Sequence, residues 1–288
     1  MAIWLSNDWQ DYEVIDCSDG EKLERWGDRI LIRPDPQVIW STEKKNPLWR
    51  SADGRYTRSS SGGGKWDKQK LPESWKIRYK NLSFNIKPMN FKHTGLFPEQ
   101  AVNWDYIMKR ISQEDRKINV LNLFAYTGGA TVAAAAAGAN VCHVDAAKGM
   151  VAWARENARL SGLEDRPIRW IVDDCVKFVE REIRRGRKYD AIIMDPPSYG
   201  RGPSGEIWKL EDNLFDFVKL CSNVLSDAPS FVIINSYTTG LSASTISYIA
   251  QSVFGKRFGG HAESRELGLP VKDSGLALPC GAACRWET

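Results

Sequence analysis

Histidine is scarce in this chain: His93, His143 and His261 are the only three in 288 residues, and they are dispersed. Such spacing offers no metal centre. Cys280 and Cys284, separated by three residues, make at most half a ligand set and read more simply as small buried residues on closing strands, so no metal is expected. The six cysteines are scattered, which points to reduced thiols and excludes a disulfide miniprotein. Long apolar runs are missing as well. The longest stretch of small apolar residues, Val132 to Ala139, is alanine-rich and far short of the roughly 20 residues a membrane helix needs. The opening residues lack a basic start followed by an apolar stretch, so a cytoplasmic protein is expected. The turn after the first long apolar strand holds only the Gly128-Gly129 pair in place of Gly-x-Gly-x-x-Gly, and no Gly-Lys-Ser/Thr phosphate loop is found, which disfavours a dinucleotide or nucleoside triphosphate ligand.

What is plentiful is tryptophan, 12 residues, eight of which (Trp4 to Trp104) precede the first long apolar strand. Charge divides that front part again. Residues 1–43 carry four basic and ten acidic side chains, whereas residues 44–80 carry eleven basic and three acidic ones. Short β-like runs at Tyr12–Asp16 and Arg29–Arg33 flank a turn at Gly20 and a Glu21–Trp26 segment that reads as helical. Trp75–Tyr79 and Leu82–Ile86, joined by Lys80-Asn81, read as a hairpin, and Ser59 to Gly64 as a loop. With 42% apolar and 26% charged residues, 288 residues suffice for two ordinary domains. The expected division is a β-rich N-terminal substrate-recognition domain over 1–90 and an α/β domain over 91–288.

From Phe97 a helix is expected, with Trp104, Ile107, Met108 and Ile111 on one face. Thereafter strands alternate with helices. Strands read at Val120–Phe124, Val141–Asp145, Ile168–Val172, Ala191–Asp195 and Phe231–Tyr237, with helices near 130–137, 149–160, 175–185, 212–225 and 243–253. That order predicts a mostly parallel sheet covered on both faces.

Chemistry gathers at the strand ends. The first strand runs into Phe124-Ala-Tyr-Thr-Gly-Gly129, where glycines let a ligand approach the backbone next to a helix N-terminus. Asp145 closes the next strand, where an α/β nucleotide site places a carboxylate for two ribose hydroxyls. Asp173-Asp174 close the third, although an Asp there commonly caps the following helix. Asp195-Pro196-Pro197-Ser198-Tyr199 close the fourth; the prolines stiffen the strand end and leave carbonyls to accept from a base edge, and Tyr199 offers a ring to stack on that base. An adenosine ligand without a phosphate requirement, S-adenosylmethionine, fits this set.

The stretch Asn119–Asp145, Asp174, Asp195-Pro-Pro and Leu276-Ala-Leu-Pro together resemble a class I S-adenosylmethionine-dependent methyltransferase. More narrowly the chain is similar to the 23S ribosomal RNA large-subunit methyltransferases of the I and K type. The resemblance covers roughly residues 75–288 and implies a Rossmann-like fold with a mostly parallel seven-stranded sheet. Lys92-His-Thr-Gly-Leu-Phe-Pro-Glu-Gln100 resembles that group's Lys-Thr-Gly-x-Phe-x-x-Gln lid, with a histidine inserted. By this likeness Lys92, Thr94, Phe97 and Gln100 form the lid, and Phe124, Tyr126, Gly128 and Gly129 wrap the methionine end of the cofactor, with Asn122 and Thr127 also expected among the cofactor-binding residues. Asp145 binds the ribose and Asp174 the adenine amine, with Ala146 and Asp173 also among the expected cofactor-binding residues, and Asp195 faces both cofactor and acceptor, with Pro196 and Tyr199 beside it.

Cytosine-modifying members carry a cysteine after the fifth strand, because carbon 5 needs a thiolate to add to the ring. Here Asn235-Ser-Tyr-Thr-Thr-Gly240 has Tyr237 in that place. A nitrogen or oxygen acceptor is therefore expected, with Asp195 orienting it. Among the basic residues of 44–80, Trp49, Tyr56, Trp66, Trp75 and Tyr79 suit looped or single-stranded RNA equally as well as they suit a small core. Trp49, Trp66 and Trp75, beside Arg50, Arg55 and Lys68, decide between the two by their exposure. The expected partner is an RNA substrate, with monomer and homodimer both open. Two alternatives stand: methylation of a protein or small molecule, and a cofactor-binding RNA module without turnover.

Overall fold

The computed structural model describes residues 3–59, 63–67, 70–89, 91–201, 207–238 and 240–288. Lys68 and the Ser60–Gly62 part of the expected loop lie outside the described residues. Contacts divide the chain into two compact units, one holding Trp4–Val102 with Leu267–Cys280, the other Asn103–Glu266 with Gly281–Thr288. Among the described residues no helix is long and apolar enough to cross a membrane.

The first unit is built from β1 (Trp4–Leu5), β2 (Tyr12–Ser18), β3 (Glu21–Trp26), β4 (Arg29–Pro34), α1 (Leu48–Ser51), β5 (Gly54–Arg58), β6 (Gly64–Asp67), β7 (Trp75–Tyr79) and β8 (Leu82–Ile86). Strands β2 to β6 form one sheet in chain order, and β7 pairs with β8 through a turn at Lys80 (φ 52°). Glu21–Trp26 corrects the helical expectation. Its Glu, Lys, Leu and Arg are good helix formers, but Asp19 and Gly20 (φ 54° and 75°) turn the chain back on β2, and Gly27 (φ 67°) turns it again onto β4. Pairing on both edges overrides local propensity.

The core of this unit is partly ionic. Glu24 is fully buried and takes two bonds from Arg33 (Nε 2.6 Å, Nη2 2.8 Å) and one from the Tyr12 hydroxyl (2.7 Å). Lys22 lies 3.6 Å from Glu24 and 3.1 Å from Asp35. Trp49, Trp66 and Trp75 are half-buried, and each indole N–H donates within the unit: to Asp16 Oδ2, to the Phe91 carbonyl and to the Trp26 carbonyl. Their nitrogens serve the fold, while their rings stay partly open.

The second unit is the alternating one: α2 (Ala101–Ser112), β9 (Asn119–Leu123), α3 (Gly129–Ala136), β10 (Asn140–Asp145), α4 (Lys148–Leu160), β11 (Ile168–Val172), α5 (Cys175–Arg184) and β12 (Ala191–Met194). A hairpin of β13 (Tyr199–Arg201) and β14 (Ile207–Lys209) precedes α6 (Leu210–Ser222), and β15 (Phe231–Ser236), α7 (Ala243–Ala250), β16 (His261–Pro270) and β17 (Ala277–Glu287) complete the order, the residues of the last two strands between Leu267 and Cys280 being counted with the first unit. The expected Rossmann-like sheet is present, its seven long strands running β11-β10-β9-β12-β15-β17-β16, with the two-residue β1 added beside Leu267 and Gly268 of β16. The pairs from β11 to β15 are parallel, whereas β15 and β17 are antiparallel. Strands β9, β12 and β15 are almost wholly buried because helices cover both faces. On α3, Ala133, Ala134 and Ala135 are fully buried, small side chains that let the helix approach its neighbours closely.

Candidate functional site

The chain leaves β9 in both directions across the sheet, through β10 on one side and β12 on the other. A crevice therefore opens beyond their carboxyl ends. Register brings the expected residues level there. Leu123 pairs with both Val144 and Met194, and Asp145 with Val172, so Phe124, Asp145, Asp173 and Asp195 end four neighbouring strands. Two strand spacings put Asp145 and Asp195 roughly 10 Å apart.

Between β9 and α3 the backbone turns left-handed at Phe124 (φ 54°), Tyr126 (φ 49°) and Gly128 (φ 81°). Two of these residues carry side chains, at a cost of about 1–3 kcal/mol each, so the surroundings must hold them. Their donors account for the hold. The Phe124 N–H donates to Cys175 Sγ (3.3 Å), Ala125 N–H to the Val144 carbonyl (3.0 Å) and Tyr126 N–H to Asp145 Oδ2 (2.8 Å). Behind the turn Asn122 and Thr127 are buried: Asn122 Nδ2 donates to Thr131 Oγ1 (2.9 Å), and the Thr127 carbonyl accepts from Asn157 (2.9 Å). His143 is a buried strand histidine 2.9 Å from Thr131 Oγ1, and burial pulls it down to about 3, which keeps it neutral.

The two glycines have a packing reason beside the expected one. A Cβ on Gly128 would stand 2.8 Å from the Ala154 Cβ, and one on Gly129 would stand 2.6 Å from the Trp104 ring. Gly129→Ala is therefore expected to cost about 1–3 kcal/mol, read as a lowered melting temperature, with cofactor affinity falling alongside. An unchanged melt would show that Trp104 yields freely.

Asp145 is half-buried, with Oδ1 accepting from the Ala147 N–H and Oδ2 from Tyr126, both at 2.8 Å. Burial raises its carboxyl above the usual range, and only these amides oppose the shift; no cation contributes. Ala146 is exposed beside it. Asp173 is ion-paired with Arg181, and Asp174 caps α5 by accepting from Lys177 N–H (2.9 Å) while staying exposed.

Asp195 is half-buried, Pro196 buried, and Tyr199 51% exposed. The expectation of free carbonyls at the two prolines is corrected at Pro197. The Pro197 carbonyl accepts the Trp208 indole (2.7 Å) and the Ser198 carbonyl accepts from Leu210 N–H (3.1 Å). Trp208 also packs on Phe124 and Phe217 (5.8 and 5.7 Å between centroids) and so ties the hairpin to the turn. Neither Trp208 nor Cys175 was foreseen as part of this site; their places depend on chain folding and have no local sequence signal. Thr238 Oγ1 donates to Ser198 Oγ (2.8 Å), and Tyr237 is half-buried at the end of β15.

Lys92, Thr94, Phe97 and Gln100 belong to the other unit. There burial, added to the charges of Lys22, Arg33 and Arg58, pulls the Lys92 ammonium down to about 8. Burial likewise lowers His93 to about 4; its ring lies 5.3 Å from that of Phe97. Thr94 Oγ1 is buried without a hydrogen-bond partner among the described residues, and Gln100 is buried.

Comparison with known proteins gives four likenesses. The family model described as S-adenosylmethionine-dependent methyltransferase matches residues 39–212. The ribosomal RNA large subunit methyltransferase K/L of Shewanella baltica is 32% identical over 198 residues, 68% of this chain and 24% of that protein, so the chain spans about a quarter of the length of the curated relatives it matches. A SAM-dependent methyltransferase structure from Agrobacterium tumefaciens superposes with a TM-score of 0.92 at 38% identity, covering 100% of this chain and 93% of its own. A further structure, from Streptococcus mutans, shares the fold at 20% identity and a TM-score of 0.74 over 98% of this chain and 76% of its own.

Proposed function

Since the chain belongs to the S-adenosylmethionine-dependent methyltransferase family, we propose that it methylates ribosomal RNA at a base nitrogen or another acceptor that needs no cysteine nucleophile. One observation carries the acceptor class. All six thiols are buried, and burial pushes each one up: Cys17, Cys142 and Cys284 to about 11, and Cys175, Cys221 and Cys280 in the same direction. Carbon-5 methylation needs an accessible thiolate, which this chain does not offer. The ribosomal RNA acceptor is supported by relatives named for that activity.

The residues at the strand ends fit S-adenosylmethionine. Asp145 is a half-buried carboxylate whose partners are amides, a setting suited to accepting from a neutral diol. In this reading Phe124, Tyr126, Gly128 and Gly129 hold the methionine end, Asp145 the ribose, and Asp174 the adenine amine. Lys92, Thr94, Phe97 and Gln100 serve as the lid, and the β-rich part expected over 1–90 recognises RNA. When bound, the cofactor supplies an electrophilic methyl group on a sulfonium. The chain's part is to orient an acceptor that already owns a lone pair: Asp195 accepts its N–H and takes the proton, while the exposed ring of Tyr199 stacks on the base.

Asp195→Ala is expected to lower methyl transfer roughly a hundredfold, whereas Tyr237→Phe leaves it within about threefold. The test follows tritiated methyl groups into RNA, protein and small-molecule fractions, with nucleoside mass spectrometry of ribosomal RNA from cells with and without the gene. Label in protein or small molecules alone, or full activity in Asp195→Ala, would overturn the assignment.

A further inference from the structure

The opposite ends of the same strands carry a second feature. Beneath the amino ends of β9, β10 and β11 lies an open cleft of about 530 Å³, with Asn119, Asn140 and Ile168 among its lining residues. Five residues of strand put it roughly 17 Å from the crevice at the carboxyl ends. Arg169, Arg187 and Lys188 also line it, and among its described lining residues none is acidic. The segment from Arg181 to Lys188 holds five cations (Arg181, Arg184, Arg185, Arg187, Lys188) and a single acid, Glu182.

Glu182 organises this charge. Its side chain is fully buried and accepts from the Tyr189 hydroxyl at 2.6 Å. Three guanidinium groups converge on it: Arg169 at 3.2 Å, Arg185 at 3.1 Å and Arg187 at 3.9 Å. Among the described residues, three cations against one carboxylate leave two positive charges uncompensated, and Lys188, whose ammonium donates to the Asn223 carbonyl (2.8 Å), adds a third. The three arginine side chains remain 42%, 55% and 58% exposed. A stabilising ion pair needs one guanidinium for one carboxylate. Three held together at partial exposure repel one another until an anion arrives, and their planar donors match phosphate oxygens.

We infer that this cleft is a docking surface for the phosphate backbone of the RNA substrate, engaging a stretch of RNA remote from the nucleotide being methylated. The inference rests on the RNA reading above and goes beyond it, because it requires an acceptor long enough to reach from one end of the sheet to the other. A nucleotide-sized substrate cannot do so.

The variant Arg187→Gln/Lys188→Gln tests it while leaving Glu182 its two closer guanidinium partners. Binding of the full chain to a mixed-sequence single-stranded 30-mer RNA and to purified ribosomal RNA is measured by filter retention from 50 to 300 mM NaCl. The double variant is expected to bind about tenfold more weakly at 100 mM and to lower the salt slope by about 1.4, with S-adenosylmethionine affinity unchanged. Should the double variant not fold, Lys188→Gln is expected to remove about half of that slope. If the parent chain binds RNA with a steep salt slope and the variant matches it, the cleft assignment fails and the RNA reading stands. If the parent binds no RNA, both fail. If polyglutamate binds the parent as tightly as RNA and loses affinity in the variant, the cleft takes an acidic protein and the RNA assignment falls.

Discussion

Asp145→Ala is expected to weaken S-adenosylmethionine binding roughly a thousandfold, measured by calorimetry. A carboxylate that accepts two hydroxyl groups makes two charge-assisted bonds of about 1.5–3 kcal/mol each, and alanine removes both. The loss extends further, because Asp145 also takes the N–H groups of Tyr126 and Ala147. Without it, the left-handed Tyr126 in the turn after β9 loses its anchor. Asp145→Asn keeps one acceptor oxygen and is expected to lose about tenfold to thirtyfold. The pH dependence has a definite sign. Burial raises this carboxyl, so acid protonates it in the folded chain before an ordinary aspartate, and affinity should fall on acidification from a higher pH than a solvated carboxylate would give. For the free chain the sign is opposite: ionised Asp145 is a cost to folding, present at neutral pH and relieved as it takes up a proton. A free chain stabilised by mild acid while its cofactor affinity drops would display both. Cofactor affinity in Asp145→Ala within threefold of the parent would remove Asp145 from the site.

Periodicity made the α/β unit readable, because buried parallel strands are apolar runs and each must be followed by a covering helix. The five expected strands stand within two residues of β9, β10, β11, β12 and β15. Strand ends were readable for the same reason: the abrupt change from Ile192-Ile-Met to Asp195-Pro-Pro marks where burial stops. Glu21–Trp26 was not readable, since its composition is helical and its strand state depends on partners on both sides. Local composition also hid how the turn is held. Cys175 lies 51 residues from Phe124, and Trp208 lies 11 from the Pro197 carbonyl it donates to. The cationic cleft was hidden for a related reason: Arg169 comes from β11 and Arg187 from the segment before β12, and it is the buried Glu182 on α5 that brings their guanidinium groups together.

Glu24→Gln should be the most damaging conservative change in the β-rich unit. The substitution keeps shape, leaves the Arg33 cation without the charge it faces and leaves Lys22 with Asp35 alone, a loss of about 3–5 kcal/mol for a broken buried pair, read as a shift of the urea midpoint. Burial alone would raise the Glu24 carboxyl; Arg33 and then Lys22 outweigh it and hold it at about 2. A folded value below the unfolded one means stability that is present above the ordinary glutamate range and lost as pH falls from about 4.5 toward 2. The difference corresponds to roughly 3 kcal/mol, in line with the mutational figure. Replacing the pair together, Glu24→Met with Arg33→Met, should recover most of the stability, because two apolar side chains cost no desolvation. It should not recover everything. Arg33 Nη1 also donates to the Lys92 carbonyl at 3.1 Å, and Lys92 begins the segment proposed to close on the cofactor. The paired variant is therefore expected to regain most of its urea midpoint, short of what the Tyr12 hydroxyl loses with its Glu24 acceptor, and still bind S-adenosylmethionine about threefold to tenfold more weakly than the parent. Full recovery of both would mean that the buried pair holds the sheet and leaves Lys92 alone.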